Sequence, residues 1–192
     1  RRAVVGADGS KGDDRVLTGL YTVAGTRTPG FPAAFTTADI AFDGGPRLTG
    51  IDAPTADGLR PGDAVTVTLR WHVEEPIARD WTVFLHVLRD PSATEPAAQA
   101  DGSPLGPHFP THLWPRGATL ESTHVLTWPD DLPDGNVTSH WMLALGIYDV
   151  TTLERALVRG QAAGGDVDAE GRRVRLPLGK DVDDAESATT SP

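Results

Sequence analysis

The chain has 192 residues, a length that suits one domain and is short for two. Its formal net charge of −10, with lysines only at Lys11 and Lys180, argues against a surface for nucleic acid or anionic lipid, because phosphate binding needs clustered basic residues. The absence of cysteine excludes disulfides, thiolate catalysis and cysteine-based zinc sites. The 21 glycines and 16 prolines predict dense turns and no long helix.

The first 37 residues are rich in Gly, Thr and Ala and carry only a weak strand pattern at Val16–Val23. We expect this segment to be a linker or an added edge strand. The chain starts at Arg1 without a methionine or a signal-like apolar region, which suggests a mature or excised part of a longer protein.

The clearest strand pattern is at Val65–Val73, where apolar residues alternate with Thr, Arg and His. This period of two places one face in a core and the other toward solvent. Similar strands are predicted at Ile40–Phe42, Arg47–Ile51, Trp81–Leu88, Thr119–Trp128, Trp141–Tyr148 and Arg173–Leu178. About seven to nine short strands separated by Gly, Pro and Asp turns predict an all-β, antiparallel two-sheet sandwich of the immunoglobulin-like or jelly-roll-like type over residues 38–179.

Two of the predicted strands, Trp81–Leu88 and Trp141–Tyr148, are apolar on both faces, so we expect them at the centre of a sheet. The longest apolar stretch is far below the roughly 20 residues that span a bilayer, so we expect no membrane insertion by this chain. Residues 180–192 are acidic and small, and are predicted to form a disordered or loosely attached tail.

Candidate metal ligands are weak in this sequence. His108 and His112 lie four residues apart downstream of Asp101, a spacing that suits a metal only on a helix, and the neighbouring prolines deny that helix. Asp166 and Asp168 resemble the start of a calcium loop, but the twelfth position is Pro177. We expect acidic turns, and no metal or organic cofactor.

Signals for catalysis are also missing. The G-x-S-x-G nucleophile elbow is absent, and with 27 acidic residues some pair of carboxylates will always look plausible for a glycosidase. We therefore predict that the chain is not an enzyme.

The segment from Asp101 to Gly117 is the strongest candidate for a binding site. Exposed aromatic rings beside polar groups are a common way to bind sugars. The candidate glycan-binding residues are Asp101, His108, Phe109, His112, Trp114 and Arg116.

An ordered series of motifs runs from Arg47 to Asp149. It comprises R-L-T-G (Arg47–Gly50), L-R-P-G-D (Leu59–Asp63), F-x-H (Phe84 and His86), Q-x-D with a following Pro and Gly (Gln99, Asp101, Pro104 and Gly106), P-T-x-x-W-x-x-G (Pro110, Thr111, Trp114 and Gly117) and G-x-Y-D (Gly146, Tyr148 and Asp149). In this order the motifs resemble the β-sandwich module at the extracytoplasmic C-terminus of bacterial membrane glycosyltransferases of the dolichyl-phosphate-mannose type, which depend on a lipid carrier. The resemblance covers residues 38–178.

The resemblance implies a non-catalytic accessory or interaction module outside the cytoplasm, in a cell-envelope glycosylation protein or a surface structure. Its partner would be an envelope glycan or the membrane-embedded part of a parent protein. The alternative is a carbohydrate-binding module that uses loop aromatics. In the modules that the chain resembles, the P-T-x-x-W-x-x-G run is a framework element, which implies that Trp114 closes one end of the core and that Asp101 bonds loop backbone. His86 is expected to be a buried, hydrogen-bonded histidine. Ser122 and His124 depart from the pattern, which more often has Asp and Tyr there.

Overall fold

The computed structural model describes residues 36–54, 59–131 and 140–178. Within them the chain forms ten strands and one short 3-10 turn at Thr111–Leu113. The strands are β1 (Thr36–Phe42), β2 (Arg47–Asp52), β3 (Ala64–His72), β4 (Trp81–Leu88), β5 (Ala98–Gln99), β6 (Thr119–Thr127), β7 (Met142–Asp149), β8 (Val158–Ala162), β9 (Asp166–Val167) and β10 (Val174–Pro177).

These strands form two antiparallel sheets of five strands each. The first sheet has the order β6-β3-β2-β1-β8, and the second has the order β5-β4-β7-β10-β9. Apolar side chains from both sheets form one hydrophobic core. The predicted all-β, two-sheet architecture is therefore confirmed.

The alternation in β3 explains why this segment is a strand. Val65, Val67, Leu69 and Trp71 are buried in the core, and the residues between them are exposed or partly exposed. Successive side chains of a strand point to opposite faces of the sheet, so this alternation buries the apolar side chains and leaves the polar ones toward water. The strands β4 and β7, apolar on both faces, lie inside the second sheet as predicted.

Three short strands were not predicted from the sequence. The strands β5 and β9 have two residues each, too few to give a pattern. The sequence of β8, V-R-G-Q-A, does not alternate, and this strand forms by pairing along β1. At Gly160 in β8 a Cβ atom would lie 1.9 Å from the carbonyl oxygen of Asp39, so the pairing depends on glycine at this position.

Five buried tryptophans contribute to the core of the sandwich. They are Trp71, Trp81, Trp114, Trp128 and Trp141, each exposed by 5% or less. The rings of Trp128 and Trp141 pack with their centroids 4.9 Å apart. The indole N–H of Trp81 in the second sheet donates to the carbonyl of Gly44, in the turn between β1 and β2 of the first sheet, at 2.8 Å. This bond ties the two sheets together at one end.

The ends of the chain were predicted to be separate segments. The edge-strand pattern at Val16–Val23 and the tail at 180–192 lie outside the described residues, as does the rest of the N-terminal extension except Thr36 and Thr37, which begin β1. In the part of the chain that the structure describes, no helix is long and apolar enough to cross a membrane.

Candidate functional site

The segment from Asp101 to Gly117 is fastened to the start of β4 through Thr111. The Thr111 hydroxyl accepts a hydrogen bond from the backbone N–H of Trp81 at 2.8 Å and donates one to the carbonyl of Arg79 at 2.9 Å. Thr111 is fully buried. A buried hydroxyl that is satisfied on both sides is a structural clamp, because losing it would leave two backbone groups unpaired.

Trp114 and Gly117 complete this framework. The Trp114 ring lies in the core with its centroid 6.4 Å from that of Trp71, and its indole N–H donates to the carbonyl of Phe109 at 3.1 Å. Gly117 has a φ of 79°, a conformation that favours glycine, and its N–H bonds the carbonyl of Val73 at 2.7 Å. The structure therefore agrees with a framework role for Trp114, whose buried ring offers no exposed face to a sugar.

The other predicted glycan-binding residues do not meet at one site. His108 is exposed, and Phe109 is partly buried against the core. His112 is exposed and pairs with Asp80, with Nδ1 to Oδ1 at 2.6 Å. Arg116 bonds the carbonyl of Glu74 at 2.9 Å and the carboxylate of Glu75 at 3.0 Å.

The predicted acidic turn after β9 is held by arginines. Asp168 is buried and accepts hydrogen bonds from the backbone N–H groups of Arg172 and Arg173 and from the Arg173 side chain. Asp166 pairs with Arg175. Among the described residues, no group of three or more His, Cys, Asp or Glu residues is arranged to hold a metal.

Polar side chains gather instead on the outer face of the second sheet, around the ring of Phe84. We call this set, which comprises His86, Asp101, Tyr148 and Arg155, the polar face. The carboxylate of Asp101 lies 3.3 Å from Nε2 of His86, and the Arg155 guanidinium lies 4.4 Å from the centroid of the Phe84 ring. The expectation that Asp101 bonds loop backbone is wrong, because its carboxylate is directed across the strands toward His86.

Strand register brings the polar face together. Gln99 lies opposite His86, and the pairing of Val83 with Gly102 then places Asp101 on the same outer face. Tyr148 lies opposite Arg155 in the return from β7. Gly146 leaves room for Phe84, since a Cβ there would lie 2.5 Å from its ring. The F-x-H, Q-x-D and G-x-Y-D motifs thus meet in one place.

Burial and the neighbouring charge of Arg155 favour the neutral form of His86. Burial lowers the pKa of His86 below its ordinary value of 6.5, Asp101 raises it, and the positive charge of Arg155 lowers it further. Burial, followed by the negative charge of Asp101, raises the pKa of Tyr148. At neutral pH the face therefore presents a carboxylate, an imidazole, a phenol and a guanidinium, which provide both donors and acceptors.

A buried polar chain lies inside the sandwich, at the two positions that depart from the resembled pattern. The Trp71 indole N–H donates to Oγ of Ser122 at 2.8 Å, and Oγ lies 3.1 Å from Nε2 of His124. Burial lowers the pKa of His124, and Asp101 offsets part of this effect. With Nε2 of a neutral His124 as acceptor, the Ser122 hydroxyl donates to the ring while it accepts from the Trp71 indole N–H.

Comparisons with protein-family models, curated proteins and solved structures found no match for this chain. The resemblance to the extracytoplasmic module of membrane glycosyltransferases stays a prediction that depends on the motifs alone. Sequence reasoning singled out Asp101 but missed Arg155 as a site residue, because a lone arginine after a turn carries no motif. The available signal was the G-x-Y-D motif, which ends six residues before Arg155. The turn after this motif brings Arg155 back opposite Tyr148.

If Trp114 belongs to the core, Trp114→Ala should lower the free energy of unfolding by about 3 kcal/mol or more, because it opens a cavity. An exposed sugar platform would tolerate the same change within about 0.5 kcal/mol. Urea denaturation measures the difference, with Leu113→Ala, at the exposed neighbouring position, as the control. A Trp114→Ala protein that unfolds like the parent yet loses glycan binding would contradict the framework role.

The lowered pKa of His124 predicts a loss of stability in weak acid. Because the folded-state pKa lies below the unfolded value of about 6.5, the unfolded chain takes up the proton first, and stability falls as pH drops below 6.5 toward the folded-state pKa. His124→Gln should flatten this dependence between pH 7 and pH 5, leaving the contribution of His86. His108→Gln, at an exposed site, is the control. Equal pH slopes for the parent and His124→Gln would contradict the assignment.

Proposed function

We propose that the chain is a non-catalytic β-sandwich module that works outside the cytoplasm, as an accessory or interaction domain in cell-envelope glycosylation or at the cell surface. The observation that carries this proposal is that the motif residues fall into two groups, one structural and one on the protein surface. Thr111, Trp114 and Gly117 hold the frame, whereas His86, Asp101 and Tyr148 meet on one outer face of a sheet. A protein that binds a partner without catalysing a reaction needs polar groups held in place by a rigid support, and this arrangement provides both.

The polar face is suited to hydrogen bonding at a contact surface. The Asp101 side chain is 33% exposed, and that of His86 is 13% exposed. His86 lies on β4, an inner strand of the second sheet, and Asp101 lies in the edge segment that pairs with β4. Side chains that the sheet already holds in place lose little conformational entropy when a partner binds. This supports a surface for a partner protein or a glycan.

Carbohydrate binding is the second candidate, and it is favoured by the setting of Tyr148. Its ring is partly exposed and lies on the same face as a carboxylate, an imidazole and a guanidinium. An aromatic ring flanked by such groups can stack on a sugar and bond its hydroxyls. In this form the contact would use the polar face rather than the loop aromatics Phe109 and Trp114.

A non-catalytic module should leave its ligand unchanged. We expect a panel of bacterial envelope oligosaccharides, incubated with the protein and followed by mass spectrometry, to show no product. Where a glycan on the same panel is retained, Tyr148→Ala should weaken its retention, while His108→Ala, a control outside the polar face, should not. Product formation that Asp101→Asn abolishes would contradict the proposal, because Asp101 and His86 would then be acting as an acid and base.

The extracytoplasmic setting is tested through the natural gene. Alkaline phosphatase fused to the end of its product should be active, because this reporter needs disulfides that form only outside the cytoplasm. A cytoplasmic reporter such as β-galactosidase, fused at the same point, serves as the matched control. An inactive phosphatase fusion beside an active β-galactosidase fusion would contradict the proposed location.

A further inference from the structure

A cleft of about 360 Å³ opens at the end of the sandwich where Trp81 is bonded to Gly44. Four segments form its walls: the turn after β1, the residues before β4, the connection from β7 to β8, and Arg172 before β10. Both sheets therefore contribute to it. Its volume lies in the range of small-molecule sites.

Three arginines line this cleft, and two of them have no carboxylate partner among the described residues. Arg79 pairs with Asp149 at 3.6 Å. Within the described residues no ion pair is formed by Arg155, which lies over the Phe84 ring, or by Arg172, which donates to the carbonyl of Arg155. Both side chains are partly buried. Two positively charged residues that line the same cleft favour a bound anion, because the anion would offset the repulsion between them.

The remaining lining residues offer hydrogen-bond acceptors and an aliphatic surface, which suit a ligand with hydroxyl groups and a saturated ring. Asp43 is paired with Arg159 across the rim at 3.1 Å, and Glu154 is exposed. Carboxylates of this kind accept hydrogen bonds from hydroxyl groups. Ala156 and Leu157 add an aliphatic wall, against which the C–H groups of a ring can pack.

The walls of the cleft are held in place without a ligand. The backbone N–H of Ala156 bonds the carbonyl of Ile147 at 3.0 Å, and that of Asp43 bonds the carbonyl of Leu157 at 3.0 Å. The backbone N–H of Val158 bonds the carbonyl of Gly171 at 2.7 Å, next to Arg172. A preformed site of this kind needs little ordering when the ligand binds.

We propose that this cleft binds a single acidic sugar, with Arg155 and Arg172 holding its carboxylate or phosphate oxygens and Asp43 and Glu154 accepting from its hydroxyls. Arginine is the residue best suited to planar, bidentate recognition of such oxyanions. The inference goes beyond the proposed function, since it names a second site and a ligand class, and it would stand even if the polar face proved catalytic.

Isothermal titration calorimetry with the whole chain tests this proposal, using glucuronic acid, glucose 6-phosphate, glucose and inorganic phosphate as probes. We expect at least one of the acidic sugars to bind at least tenfold more tightly than glucose and than inorganic phosphate. The comparison of glucuronic acid with glucose 6-phosphate tells which oxyanion is preferred. Glucose binding as tightly as both acidic sugars, or no binding of either acidic sugar at millimolar concentration, would overturn the proposal. If inorganic phosphate binds as tightly as the better of the two acidic sugars, the sugar ring adds no affinity, and the proposal that the ligand is a sugar would be overturned.

Variants assign the site. Arg172→Gln should weaken binding of the acidic sugar at least tenfold, and Arg155→Gln should do the same. Arg116→Gln removes an arginine that does not line the cleft and should change nothing. Because Arg155 packs on Phe84, its replacement could disturb the fold. Each variant is therefore first shown to keep the far-UV circular dichroism and melting temperature of the parent protein. If Arg155→Gln does not fold, the result for Arg172→Gln decides the test. Unchanged affinity in a folded Arg172→Gln protein would contradict the proposal.

Discussion

A buried indole ring carries an N–H group that has to find an acceptor, and this requirement organises the sandwich. Trp71 finds Ser122 on the neighbouring strand, Trp81 finds the Gly44 turn of the opposite sheet, and Trp114 finds the backbone of its own loop. Each bond avoids the cost of leaving a buried N–H group unsatisfied, which is about 1–3 kcal/mol. Trp128 is the exception. Its indole nitrogen has no partner among the described residues, and its ring packs against Trp141.

These bonds fix the groups that support the cleft. The bond from Trp81 to Gly44 fixes the turn that forms one wall of the arginine cleft. The clamp by Thr111 fixes the backbone on either side of Arg79 and Trp81. The polar face and the cleft share Arg155, whose guanidinium rests on Phe84. The side chains that we propose for recognition thus rest on groups that the core already holds.

The sequence was most informative where a residue's environment follows from its neighbours. The alternation in β3 and the two-sided apolar pattern of β4 predicted both strands within a residue and placed β4 inside its sheet. It was least informative where pairing between distant segments decides the structure. The strand β8 has no alternation, and it exists because β1 offers it an edge and Gly160 permits the close approach.

The same distinction applies to the candidate site. The resemblance implied a framework role for Trp114, and the contiguous P-T-x-x-W-x-x-G motif made that residue easy to single out. Asp101 and His86 could each be singled out, but their pairing depends on strand register and could not be seen from spacing alone. The arginine cleft was missed for a similar reason. Arg79 and Arg172 are far apart in the chain, and nothing in a sequence with net charge −10 indicates that a local concentration of positive charge will form.

Hydrogen exchange of the indole N–H groups, followed by NMR of the ¹⁵N-labelled protein, tests the central claim most directly. If the motif-bearing loop is part of the frame, the Trp114 indole N–H should exchange as slowly as those of Trp71 and Trp81, near the rate set by global unfolding. A Trp114 indole N–H that exchanges within minutes, while that of Trp71 stays protected, would show that the loop opens independently. That result would contradict the account of a frame built on buried indoles.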